Sequence, residues 1–287
     1  LEKSRGGNST VIKGEHMPDS GAKRGTGRPS VRSAGLFLLL FALVVFGPLC
    51  RMADAANGET ERAREILARI DDLWRSTSST ATLRMVVKTE HYTRTMVMES
   101  WTKGREKSLV RIVSPLKEKG TVSLKNDDTL YTYLPKTDRV IRLTTGMMMG
   151  SWMGSHFTND DLVKESRLAE DYDPEITIEG TLDGQEIVEF ALIPKPEAPV
   201  VWGKIVIVVR AGDLLPLVSR YYDEEMTLAR TLDFLDIREM GGRLLPVVLR
   251  MVPADKPGEF TEMTYQAIDF DVDLPDSLFS LMQLRRM

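Results

Sequence analysis

The stretch TLRMVVKTEHYTRTMVMESW, residues 82–101, sets the fold class. Leu83, Met85 and Val87 alternate with Thr82, Arg84 and Lys88; after a turn at His91 to Thr93, Met96 and Met98 alternate with Thr95, Val97 and Glu99 up to Trp101. Side chains along a strand point to opposite faces in turn, so this period of two predicts two strands, each with one apolar face. A parallel pair would need a crossover of a dozen or more residues, so the short turn makes an antiparallel hairpin.

The same reading extends downstream. Strand-like runs cover 108–113, 121–125, 130–134, 140–143, 175–180, 186–193, 204–210, 217–222, 227–237, 244–252 and 260–270. Turn chemistry at Asn126-Asp127-Asp128, Pro135-Lys136-Thr137-Asp138 and Gly241-Gly242 separates several of them. The whole reads as a mainly β (α+β) fold of about eleven strands, and a sheet of that size curls or closes rather than lying flat.

Upstream, the period changes. From Asn57 to Arg75, Ala63, Ile66, Leu67, Ile70, Leu73 and Trp74 form one stripe, while Glu61, Arg62, Arg64, Arg69 and Asp72 take the other face. That spacing predicts an amphipathic helix, capped by Asn57 or Thr60 and laid against the sheet. Between the two groups of strands lies Gly146-Met147-Met148-Met149-Gly150-Ser151-Trp152-Met153-Gly154. Three consecutive methionines cannot all enter one core, so part of this loop is expected to line a mouth or lid. Thr158, with Asp161 three residues on, fits a capping box that opens a short helix running to about Glu165. At the other end, Pro275 to Leu281 reads as a closing helical turn that plugs an apolar edge.

Ahead of all this, Ala34 to Leu49 is an uncharged apolar run with Lys23, Arg24, Arg28 and Arg32 before it and Ala53-Asp54-Ala55 after it. Basic flank, apolar core and small residues, in that order, predict a secretory signal cleaved near Ala55/Ala56. The run falls short of the roughly 20 residues a membrane-spanning helix needs. Leu1 to His16 read as extra sequence ahead of a start at Met17. Leu49 before Cys50 is a poor match for a lipid-attachment site. The expected organisation is therefore 1–55 as upstream extension and signal and 56–287 as one domain, working in the periplasm as a monomer.

Composition and chemistry narrow the function. Eight of 38 Lys/Arg and four of 42 Asp/Glu precede residue 56, so the remainder carries a formal charge of −8. Such a surface argues against general nucleic-acid binding, which needs clustered positive charge. Cys50 is the single cysteine, so the body must be held by an apolar core without disulfides, and no zinc spacing exists. Ser155-His156 lacks the glycine two places after the serine that a hydrolase elbow requires. Asp160-Asp161 is explained by the helix start, and no glycine-rich phosphate loop is present. Neither His91 nor His156 has a local partner set. No cofactor or metal is implied, and the chain reads as a binding or carrier protein, not an enzyme. Strand parity and loop composition nominate Met85, Met96, Met98, Trp101, Met148, Trp152, Met153 and Phe157 as the lining of an apolar ligand cavity, with methionine suited to chains of varied shape.

Three stretches carry a family likeness: Tyr131-Thr132-Tyr133-Leu134-Pro135 with Arg139-Val140-Ile141-Arg142; Met153-Gly154-Ser155-His156-Phe157-Thr158-Asn159-Asp160-Asp161-Leu162; and Leu278-Phe279. Across roughly Ile66 to Leu284 the chain resembles the outer membrane lipoprotein-sorting proteins of the LolA-like superfamily, with Gly154, Ser155, Phe157 and Asp161 on the family motif and His156 where that motif has Asp. The resemblance implies a half-open, incomplete β-barrel whose concave face is covered by helices. It implies a lipoprotein or lipid cargo taken from an inner-membrane transporter and passed to an outer-membrane acceptor. It also implies a strand arginine that holds a helical lid shut, although no local motif says which. The alternative is an accessory protein of an inner-membrane exporter complex.

Overall fold

The alternation over residues 82–101 becomes β1 (Ser78–Lys88) and β2 (Thr93–Lys103), with Leu83 opposite Met98 and Met85 opposite Met96. The computed structural model describes residues 58, 60–164 and 168–286, which fall in one compact unit, Met52–Met287. The expected signal at 34–49, Cys50, the expected cap at Asn57 and Glu165 lie outside the described residues, as does the expected boundary at 55/56.

β3 (Lys107–Ser114), β4 (Val122–Asn126), β5 (Thr129–Leu134) and β6 (Arg139–Arg142) continue the meander. A second meander runs through β7 (Tyr172–Leu182), β8 (Gln185–Pro194), β9 (Lys204–Arg210), β10 (Pro216–Tyr222), β11 (Leu228–Met240), β12 (Arg243–Pro253) and β13 (Phe260–Phe270). All belong to one antiparallel sheet in the order β6-β5-β4-β3-β2-β1-β13-β12-β11-β10-β9-β8-β7. The described residues thus hold thirteen strands rather than about eleven. The short runs near 121–125 and 140–143 each hold a full register with a neighbour and count as strands of their own.

This order has a geometric consequence. β1 pairs with β13, so the edges are β6 and β7, which follow each other in the chain. The segment between them must travel from one edge of the sheet to the other. It does so over one face, carrying α2 (Asn159–Lys164) and α3 (Leu168–Asp171). Bulges between Thr82 and Leu83, Val97 and Met98, Ile176 and Ile178, and Tyr221 and Tyr222 add twist. The sheet is curled and open, not closed into a barrel.

The N-terminal helix, α1 (60–72), covers the same face. Its buried stripe, Ile66, Leu67 and Ile70, packs on Phe190, Leu192, Ile205 and Ile207 of β8 and β9. Leu73 to Arg75 leave the helix as a turn, and Ser76 at φ 53° reverses the chain into β1. Trp74 is carried past the helix end into the core of β11 and β12, where its Nε1–H donates to the carbonyl of Pro246 (3.2 Å). The closing segment, Asp276–Phe279 and α4 (Leu281–Leu284), does not plug an edge. It lies on the opposite, convex face, where Phe279 and Leu284 pack on Leu109, Val122 and Leu124 of β3 and β4.

Candidate functional site: a latched lid over an apolar cavity

Thr158 and Asp161 form the expected capping box. The Thr158 N–H donates to Asp161 Oδ2 (2.7 Å) and the Asp161 N–H to Thr158 Oγ1 (3.2 Å), satisfying exposed backbone donors at the start of α2. The dipole account of Asp161 is incomplete, however. Its carboxylate also accepts both Nη atoms of Arg230 on β11, Nη1 at 2.8 Å from Oδ2 and Nη2 on Oδ1. A bidentate guanidinium–carboxylate pair is among the stronger and more directional polar contacts. The Arg230 side chain is 6% exposed and lies 4.4 Å from the ring centroids of both Trp202 and Tyr221. Burial works against its charge, but Asp161 outweighs that and holds the guanidinium above its ordinary pKa. Beside it, burial, then Tyr221 and the carboxylates of Asp160 and Asp171, push the Tyr172 hydroxyl well up.

The loop ahead of α2 is fastened along its length. The Trp152 N–H donates to the carbonyl of Phe157 (2.8 Å), and the Ser155 hydroxyl donates to the Trp152 carbonyl (2.7 Å) while accepting the Phe157 N–H (3.1 Å). Trp152 Nε1–H reaches Ser123 Oγ on β4 (3.1 Å). Arg94 on β2 donates to the Met153 carbonyl and pairs with Glu118. Gly154 sits at φ 67°, and a Cβ there would meet Arg94 Nη2 at 3.2 Å, so both conformation and space favour glycine.

His156 does have partners, brought from a hundred residues away. Its N–H donates to Thr261 Oγ1 (2.9 Å), its Nδ1 lies 2.9 Å from the same oxygen, and its Nε2 is 3.1 Å from Glu259 Oε2. Ser155 and His156 thus serve different neighbours and make no nucleophile–base pair. Among the described residues, no group of three His, Cys, Asp or Glu is placed to hold a metal.

Beneath this lid and α1 lies a cavity of about 190 Å³. Its wall is aromatic on one side: Trp74 stacks on Phe234 (5.8 Å) and Tyr265 (6.4 Å), and Trp202 meets Tyr221 edge-on at 5.4 Å. Of the nominated residues, Trp152 and Phe157 line it. Met85, Met96 and Met98 face the same side of the sheet, but they are fully buried and packed against Val87, Ile112 and Trp152, as core beneath the loop. Met153 packs onto that same cluster, and Met148 onto Leu130, Leu143 and Val163. Trp101 is odd in parity relative to Met96 and Met98; it points to the convex face and packs with Leu109 and Leu124. At its level the inner wall is Leu83, Ser100 and Val110.

A family described as "Uncharacterized protein" matches residues 104–286, and no curated protein matches the chain. Three solved structures share the fold. A DUF1329-family protein from Desulfovibrio piger superposes with a TM-score of 0.72 at 23% identity, covering 79% of this chain and 99% of its own. A Vibrio parahaemolyticus domain assigned to outer membrane lipoprotein sorting gives 0.69 at 23% identity, covering 79% and 100%. A LolA-superfamily protein from Nitrosomonas europaea gives 0.66 at 22% identity, covering 77% and 98%. The chain belongs to the matched family, and its fold is that of the LolA superfamily.

Within the LolA fold, Arg230 and its aromatic collar are the features that sequence reading missed. Arg230 and Asp161 stand 69 residues apart, with no shared motif. The one usable signal was parity: Arg230 is a charge on the same strand face as Leu232 and Phe234. No helix among the described residues is long and apolar enough to cross a membrane.

Proposed function

We propose that this protein is a non-enzymatic periplasmic carrier, exported by the apolar leader at 34–49, that shelters acyl chains of a lipoprotein or another amphiphile beneath its lid. One observation carries the reading: an apolar, aromatic-walled cavity lies under a segment tied to β11 by the buried ion pair Arg230–Asp161. Burial of each methylene contributes about 0.8 kcal/mol, so water exclusion alone drives loading. The cargo must then leave for a site of comparable affinity, so the proposed donor is an inner-membrane transporter and the acceptor lies at the outer membrane.

The volume defines the state. A cavity of about 150 Å³ holds a benzene-sized guest, so about 190 Å³ accommodates little more than that. The latched form is therefore the unloaded one, and cargo enters by lifting the segment that carries residues 143–164 and α3 away from the sheet. The small volume also supports a second reading, in which the same lid receives a protein partner within an envelope exporter complex.

Native mass spectrometry of protein taken from cell envelopes tests the proposal. Co-purifying acyl lipid, enriched in an Arg230→Met variant whose lid is unlatched, is the expected result. Protein that is folded, empty in both forms and crosslinked to one stoichiometric protein partner would replace the carrier with the second reading.

A further inference from the structure

The cavity is not apolar throughout. On β2 and β3 the inner wall is made of Ser100, Thr102 and Ser108, with Thr102 directly opposite Ser108 in register. Thr102 is engaged by Ser79 at 2.7 Å. Ser108 is 7% exposed, and its hydroxyl has no hydrogen bond to any described residue although it lines the cavity. Ser219, on β10 across the cavity, is 3% exposed and equally unengaged. Both residues belong to the cavity lining, so each hydroxyl is open to the cavity and can donate to or accept from a ligand group there. Two such groups on facing walls, with Ser100 beside one of them, mark where a guest brings polar atoms.

The charge of the lining says which polar atoms. With Asp161 neutralised by Arg230, the lining keeps the carboxylates of Asp71 and Asp160 against the guanidinium of Arg75, a formal excess of one negative charge. An anionic head would meet net negative charge in a poorly solvated space. A serine hydroxyl both donates and accepts, which suits a neutral ester carbonyl or alcohol.

We propose that the β2–β3 serines form a polar subsite for the uncharged junction of an acyl ester, so that the cavity selects neutral acylglycerols over fatty-acid anions and over plain hydrocarbon. This deepens the carrier reading and rests on it. Ser100 and Ser108 receive the glycerol ester, and the acyl chain runs along the Trp74–Phe234–Tyr265 wall.

Displacement of the fluorescent probe N-phenyl-naphthylamine from the full chain by monodecanoin, decanoate and decane tests it. Monodecanoin is expected to compete best and decanoate worst. A Ser100→Ala/Ser108→Ala variant is expected to lose about tenfold in the monodecanoin-over-decane preference, at about one neutral hydrogen bond per serine, with decane competition unchanged. Decanoate competing as well as monodecanoin, or a preference untouched in the variant, would overturn the subsite while leaving the carrier intact. Failure of every competitor, with the probe itself unbound, would overturn the carrier reading and the subsite with it. Ser108→Thr, which keeps the hydroxyl, separates polarity from packing: it should retain the preference that alanine loses.

Discussion

Arg230 is the side chain that ties α2 to β11. With 6% of its side chain exposed and Asp161 at 20%, the pair lies in the regime where removing one partner costs about 3–5 kcal/mol, because the other is left uncompensated. Urea denaturation should place Arg230→Met toward the lower end of that range, since Asp161 keeps some contact with water. Asp161→Asn keeps an acceptor for the Thr158 N–H and should retain α2 while losing the charged latch. A second residue-scale expectation concerns pH. The Glu90 N–H and then His156 hold the Glu259 carboxyl below its ordinary value of 4.5. A depressed folded-state pKa contributes stability that is present above the unfolded value and disappears as pH falls through the folded one. Melting temperatures of wild type and Glu259→Gln should therefore differ at neutral pH and converge as the solution is acidified below 4.5. A gap of constant size would remove this carboxylate from the stability of the lid loop.

Elements were more legible than contacts. Local alternation is enough to place β1 and β2, because each residue needs only to know which face of its own strand it occupies. The capping box of α2 was equally plain, since both partners lie within four residues. Trp101 shows where such reading fails: it was placed on the inner wall with Met96 and Met98, but it stands three residues from Met98, and counting in twos sends it to the outer face. Met85, Met96 and Met98 faced the anticipated side yet sit under Trp152 rather than beside a void, which only three-dimensional packing decides. His156 and Arg230 depend on residues 69 to 105 positions away and had no local signature. At this scale, Thr158→Ala should cost about 1 kcal/mol by removing the cap. α2 has only six residues, so its amide protons should exchange faster than those of β11 in the same variant.

At the level of the molecule, the carrier reading has cargo enter by movement of the connection between the two edge strands while the sheet stays whole. Hydrogen–deuterium exchange on protein loaded with monodecanoin should show faster exchange across residues 143–164 and α3 and unchanged protection in β1, β12 and β13. Uniform loosening of the sheet would argue for breathing of the whole cup instead of a moving cover. The junction between the first and last strands carries a further implication. β1 waits for β13, nearly two hundred residues downstream, before its second edge is satisfied. During synthesis the first six strands therefore emerge before the partner that completes β1, and its second hydrogen-bonding border stays open until the final strand leaves the ribosome. A chaperone that escorts the nascent polypeptide would find its longest-lived target there, at the margin of Ser78–Lys88.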